Sequence, residues 1–113
     1  MDNNDCGICA LLNRYAHGEE VRVVYESEHT IAVHSTKPFA QVHIFIASKR
    51  HIPTIFDLTE RDNETVLDMM EAVKAASSEV ITLRGACKLE MYLGEFQNTK
   101  HFHCHVIYDP SID

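Results

Sequence analysis

The sequence predicts an α+β domain: an antiparallel five-stranded sheet with one long helix packed on a face, and one or two short helices besides. Two observations carry that prediction. Stretches rich in β-branched and aromatic residues recur along the chain and are mostly joined by short polar turns. Between the third and fourth of them lies one segment of sustained helical periodicity. Strands joined in this way run antiparallel and leave a single principal helix to cover them.

Taken in order, Ala10 to Ala16 suits a short helix ended by Gly18. Val21 to Tyr25 and Thr30 to Val33 flank the polar Glu26-Ser27-Glu28-His29 and predict a hairpin, and Val42 to Ala47 a third strand. Pro53 opens a short helical turn over Thr54 to Leu58. Thr59 is then the N-cap of the long helix, with Glu60 and Asp62 in its first turn. Val66, Met69, Met70, Val73, Ala76, Val80 and Leu83 follow at helical spacing, and Gly85 suits the C-terminal cap. Cys87, Leu89, Met91 and Leu93 alternate with Lys88, Glu90 and Tyr92, the period of a half-buried strand. Phe102 to Tyr108 is the last strand. Nothing in the 113 residues marks a linker or a repeat, so residues 1–113 are expected to form one domain.

Seventeen acids against ten bases give a formal net charge of −7, with no basic block longer than Lys49-Arg50. That excludes nucleic-acid or anionic-membrane binding driven by charge alone, but not a nucleotide, whose phosphates a few local donors can hold. The polar, acidic start lacks the pattern of a secretory leader, and the longest apolar run is far short of a membrane span. A cytoplasmic location is expected. In a reducing compartment the CxxC pair Cys6 and Cys9 suggests metal or redox chemistry, with Cys87 and Cys104 as plain buried thiols.

The densest chemical signal is His101-Phe102-His103-Cys104-His105-Val106. On an extended strand alternate side chains share a face, so the three imidazoles point one way and Phe102, Cys104 and Val106 point into the core. Three imidazoles at that period fit metal binding, or acid-base and nucleophilic chemistry. A neutral imidazole suits attack on phosphorus: one nitrogen attacks, the other donates to an acceptor that fixes the tautomer, and a neighbouring imidazole serves the phosphoryl oxygen or the leaving group.

This run, closed by Ile107, resembles the signature of the histidine triad (HIT) family. Pro38, His43, Lys49-Arg50-His51-Ile52 and Leu58-Thr59-Glu60 are similar to the family's third strand and helix entry, and Gln97 stands four residues before the first triad histidine. The resemblance implies that His103 is the nucleophile and that His105 contacts the transferred phosphate. It implies a nucleotidyl hydrolase of the nucleoside phosphoramidase or dinucleoside polyphosphate hydrolase type, acting on a purine nucleotide through a covalent nucleotidyl-histidine, and usually a homodimer. It further implies a structural Zn2+ held by Cys6, Cys9, His51 and His101, and a base pocket lined by Ile8, Leu11 and Val33. His43, on a strand near the site, is read either as a buttress of the triad or as a structural histidine.

Two departures matter. Ser35 stands where family members commonly carry an acid for the ribose, and the stretch Leu93 to Lys100 is shortened, with Asn98 where a hydroxyl residue often meets the phosphate. They favour an alternative, a nucleotide- or partner-binding protein of the same fold without efficient catalysis. A third reading takes the histidines as ligands of a catalytic metal.

Overall fold

The computed structural model describes residues 6–111; the acidic segment at positions 1–5, which bears on the expectation about a leader, lies outside them. Strands β1 (Val23–Glu26), β2 (Thr30–His34), β3 (Val42–Ser48), β4 (Lys88–Glu90) and β5 (His103–Tyr108) form one sheet. Their order is β1-β2-β3-β5-β4 and every neighbouring pair is antiparallel. The first three strands are sequential, whereas β5 returns to lie between β3 and β4. The histidine strand is therefore central and paired on both edges, with Ala47 opposite His103 and Phe45 opposite His105.

Helix α2 (Asn63–Arg84) packs on the face that carries Ala32, Ile44, Ile46, Cys104 and Val106. Its own contribution is Met69, Ala72, Ala76 and Val80, with Val73 partly buried beside them. The predicted stripe needs correcting at two positions, because Met70 and Leu83 are exposed. Met70 lies one residue, and so roughly 100°, off the buried row. Thr59 caps a single 3-10 turn, Glu60–Asp62, and not α2 itself, whose N-cap is Asp62; Thr59 and Asp62 form a capping box, with the Thr59 N–H donating to Asp62 Oδ2 at 2.9 Å. Buried Asp62 also pairs with the half-exposed Arg50, next to His51. Gly85 ends the helix at φ +89° and donates its N–H to the Ile81 carbonyl at 2.8 Å, a conformation that suits glycine.

Helix α1 (Gly7–Ala16) begins three residues earlier than the sequence predicts. The reason is its cap: Cys6 Sγ accepts the Cys9 N–H at 3.3 Å, a role given more often to serine or aspartate. Ile8 and Leu12 pack with Cys6, Ala47 and Phe45 on the sheet face opposite α2, so each face carries a helix. The fourth strand is shorter than its alternation suggests. α2 packs on β1, β2, β3 and β5, so Leu89 lies past the helix and stays 51% exposed.

Ile46 is fully buried between β3 and α2 while Leu67 is exposed. Ile46→Ala is expected to cost about 2–5 kcal/mol of unfolding free energy, measured by urea denaturation, and Leu67→Ala less than about 0.5 kcal/mol.

Candidate functional site

The alternation of β5 divides its side chains as expected. Cys104 and Val106 join the core under α2, while His103 and His105 emerge on the other face with ring centroids 5.0 Å apart. Burial holds the imidazoles of His43, His103 and His105 in their neutral forms. It lowers all three below the ordinary histidine value, His105 to about 4, with neighbouring His103 adding to the effect on His43 and His105.

Hydrogen bonding assigns a tautomer to each ring. The His101 carbonyl lies against His103 Nδ1, which must therefore carry the proton and donate; Nε2 of His103 is left with a bare lone pair. The Phe39 N–H donates to His43 Nδ1 at 3.4 Å, so the proton of His43 sits on Nε2. From there it donates to His105 Nδ1 at 2.8 Å, which leaves the proton of His105 on Nε2. The pair thus presents one nucleophilic nitrogen and one N–H donor on the same face. His43 positions His105 and is itself buried.

Of the other residues that the sequence singled out, Val33 and Ile8 are buried on the triad face of the sheet, Ile8 beneath α1. Leu12, one position on from Leu11, is the α1 residue that packs with Ile8 and Phe45. Gln97 is buried and spends its amide nitrogen on the Pro53 and Thr99 carbonyls at 2.8 and 3.1 Å. It braces the loop that carries exposed Asn98. Ser35 accepts the Lys37 N–H at 3.1 Å, and it lines a cavity of about 290 Å³ with His34, His43, Arg22 and Arg84. The sequence reading gave no role at the site to Phe39 or Tyr92, whose rings lie 5.5 and 5.0 Å from that of His105. Their one signal was aromatic character in segments read as a loop and as the polar phase of a strand.

Cys6, Cys9, His51 and His101 converge as the resemblance implies, their ligand atoms all within 4.8 Å of one another. Cys6 Sγ lies 3.2 Å from His101 Nδ1, and Cys9 Sγ 3.1 Å from His51 Nδ1. Two thiols and two imidazole nitrogens suit a tetrahedral divalent cation. The second nitrogen of His101, Nε2, donates to the Ser48 carbonyl at 2.6 Å, which turns the unprotonated Nδ1 toward the cluster, as a ligand requires. Burial also pushes His101 down to about 4, and burial with Cys6 alongside pushes the Cys9 thiol up to about 11. A thiolate at Cys9 therefore calls for a nearby positive charge, which a cation supplies. The cluster can hold a metal, and it lies just before the start of β5, where His101 precedes His103 by two residues.

A family profile described as "Scavenger mRNA decapping enzyme C-term binding" matches residues 8–112. The Arabidopsis thaliana protein named bifunctional adenosine 5'-phosphosulfate phosphorylase/adenylylsulfatase HINT4 is 26% identical over 104 residues, covering 91% of this chain and 69% of that protein. Among solved structures, a HIT family hydrolase from Clostridium thermocellum superposes with a TM-score of 0.77 at 23% identity, covering 97% of this chain and 95% of the other. A Zn-bound histidine triad family protein from Mycobacterium smegmatis gives a TM-score of 0.77 at 21% identity, covering 99% of this chain and 80% of the other. Both superpositions show a shared fold.

A strong chelator is expected to lower the melting temperature by more than about 5 °C, and added zinc to restore it, in a thermal melt followed by circular dichroism. In Cys9→Ser neither addition should move the transition by more than about 1 °C, because the ligand set is broken.

Proposed function

The chain belongs to the histidine triad family, within the group described by the scavenger decapping profile, and on that footing we propose that it is a nucleotidyl hydrolase with His103 as nucleophile. One observation carries the reading: His103 offers a bare Nε2 beside the Nε2–H of His105, each tautomer held by a separate hydrogen bond.

In the proposed first step the Nε2 lone pair of His103 attacks the α-phosphorus of a nucleoside phosphoramidate or of a polyphosphate. The bond from phosphorus to the leaving nitrogen or oxygen breaks, and its electron pair departs with the leaving group. His105 Nε2–H passes its proton to that atom, which leaves as an amine or a protonated phosphate. Water then attacks the phosphorus while the bared Nε2 of His105 takes one of its protons, the bond to His103 Nε2 breaks with its electron pair returning to the ring, and a nucleoside monophosphate is released. The Asn98 amide is assigned as a donor to the phosphate, from the loop that Gln97 braces.

The base of a purine nucleotide is assigned to the surface near Ile8, Leu11 and Val33, with Ser35 and His43 toward the ribose. Zn2+ is the cation assigned to Cys6, Cys9, His51 and His101, and it tethers α1 to β5 without entering the reaction. A homodimer is proposed through β4, an edge strand that exposes Leu89. No helix among the described residues is long and apolar enough to cross a membrane, and the cytoplasm is the proposed location.

The engagement of the Ser35 hydroxyl within its own turn favours a second reading, a protein that binds nucleotides without turning them over. Mixing with an adenosine phosphoramidate separates the two. Wild type is expected to release AMP and to carry a transient nucleotidyl adduct in its intact mass. His103→Ala should lose the adduct and at least about 10³-fold in kcat/KM. Nucleotide binding without AMP from folded wild type favours the second reading.

A further inference from the structure

Beside His105 the site carries aromatic surface that hydrolysis as such does not use. Phe39 is 48% exposed and Phe96 79% exposed, although each large apolar ring would gain from burial. With Tyr92 and Asn98 they line an open cleft of about 420 Å³. The walls are held in place. Phe39 packs on His43 at 4.2 Å between ring centroids and donates its N–H to that ring, while the Tyr92 hydroxyl donates to Glu90. Phe39 and Tyr92 stand 6.3 Å apart and tilted, and Gly94, at φ +63°, turns the loop that presents Phe96.

The position of the cleft decides its use. It adjoins His105, whose N–H is placed to serve the departing atom, and not the α1 side where the nucleoside is assigned. Building on the hydrolase reading, we propose that Phe39, Tyr92 and Phe96 form a second subsite for a planar aromatic group on the leaving-group side of the scissile bond. Stacking on exposed rings suits any flat π-system, and Asn98 at the rim can both donate to and accept from a polar edge. The occupant is either an aryl-bearing amine or a second nucleobase.

The test compares kcat/KM within two substrate pairs: the tryptamine and n-butylamine amidates of AMP, and diadenosine triphosphate and ATP. Wild type should favour the aromatic member of one pair by at least about tenfold, and the favoured pair identifies the occupant. In Phe96→Ala, a surface change whose folding is checked by circular dichroism, that ratio should fall toward one. Ratios near one in wild type, with AMP formed, overturn the subsite and leave the hydrolase reading standing. AMP from no substrate overturns the hydrolase reading instead. The subsite is then judged by side-chain NMR: tryptamine, but not n-butylamine, should shift the Phe39, Tyr92 and Phe96 ring signals, and unmoved rings overturn it.

Discussion

His101 spends three of its polar groups on different parts of the molecule, and the site depends on all three contacts. Its ring Nε2 donates to the Ser48 carbonyl at the end of β3. Its Nδ1 faces Cys6, Cys9 and His51. Its backbone carbonyl accepts the proton of His103 Nδ1 and so decides which nitrogen of that ring is free. One fully buried residue therefore joins the N-terminal helix, the sheet and the tautomer of His103. A buried imidazole with both nitrogens engaged has little freedom to turn, and the carbonyl it anchors is correspondingly fixed.

The rest of the fold keeps that arrangement rigid. β5 has partners on both edges, and its alternate side chains Cys104 and Val106 are locked under α2. His103 and His105 cannot slip in register without exposing those core residues, because a shift of one position exchanges the two faces. The donor to His105 comes from β3 across the strand pair, in His43, whose own orientation is set by the Phe39 backbone. Relay of hydrogen bonds through fixed backbone orients both rings before any substrate arrives, which is the kind of preorganisation that stabilises developing charge.

Much of this was legible in the chain. The period-two run of His101 to Val106 placed His103 and His105 on one face and Cys104 and Val106 in the core, and Gly85 bounded α2 at its C-terminus, whereas Thr59 caps the short turn just before it. Other features depend on register or on long-range closure, which local patterns do not carry. The contact between His43 and His105 joins residues 62 positions apart through the β3–β5 pairing. The partners of Cys6 and Cys9 came from family resemblance, since CxxC spacing leaves the remaining ligands open. The start of α1 was missed because cysteine is an uncommon cap. Met70 and Leu83 match helical spacing yet face solvent. Phe39 and Tyr92 gave no hint of their place beside His105, because one lies in a loop and the other falls where a strand shows its polar face.

The central claim is that backbone and neighbouring rings fix the protonation of the His103 and His105 imidazoles. Long-range proton-nitrogen correlation NMR of the histidine side chains near neutral pH tests it directly. The account predicts that His103 is protonated on Nδ1 with Nε2 bare, and that His105 is protonated on Nε2. A His103 ring protonated on Nε2, or exchanging between the two tautomers, would contradict it.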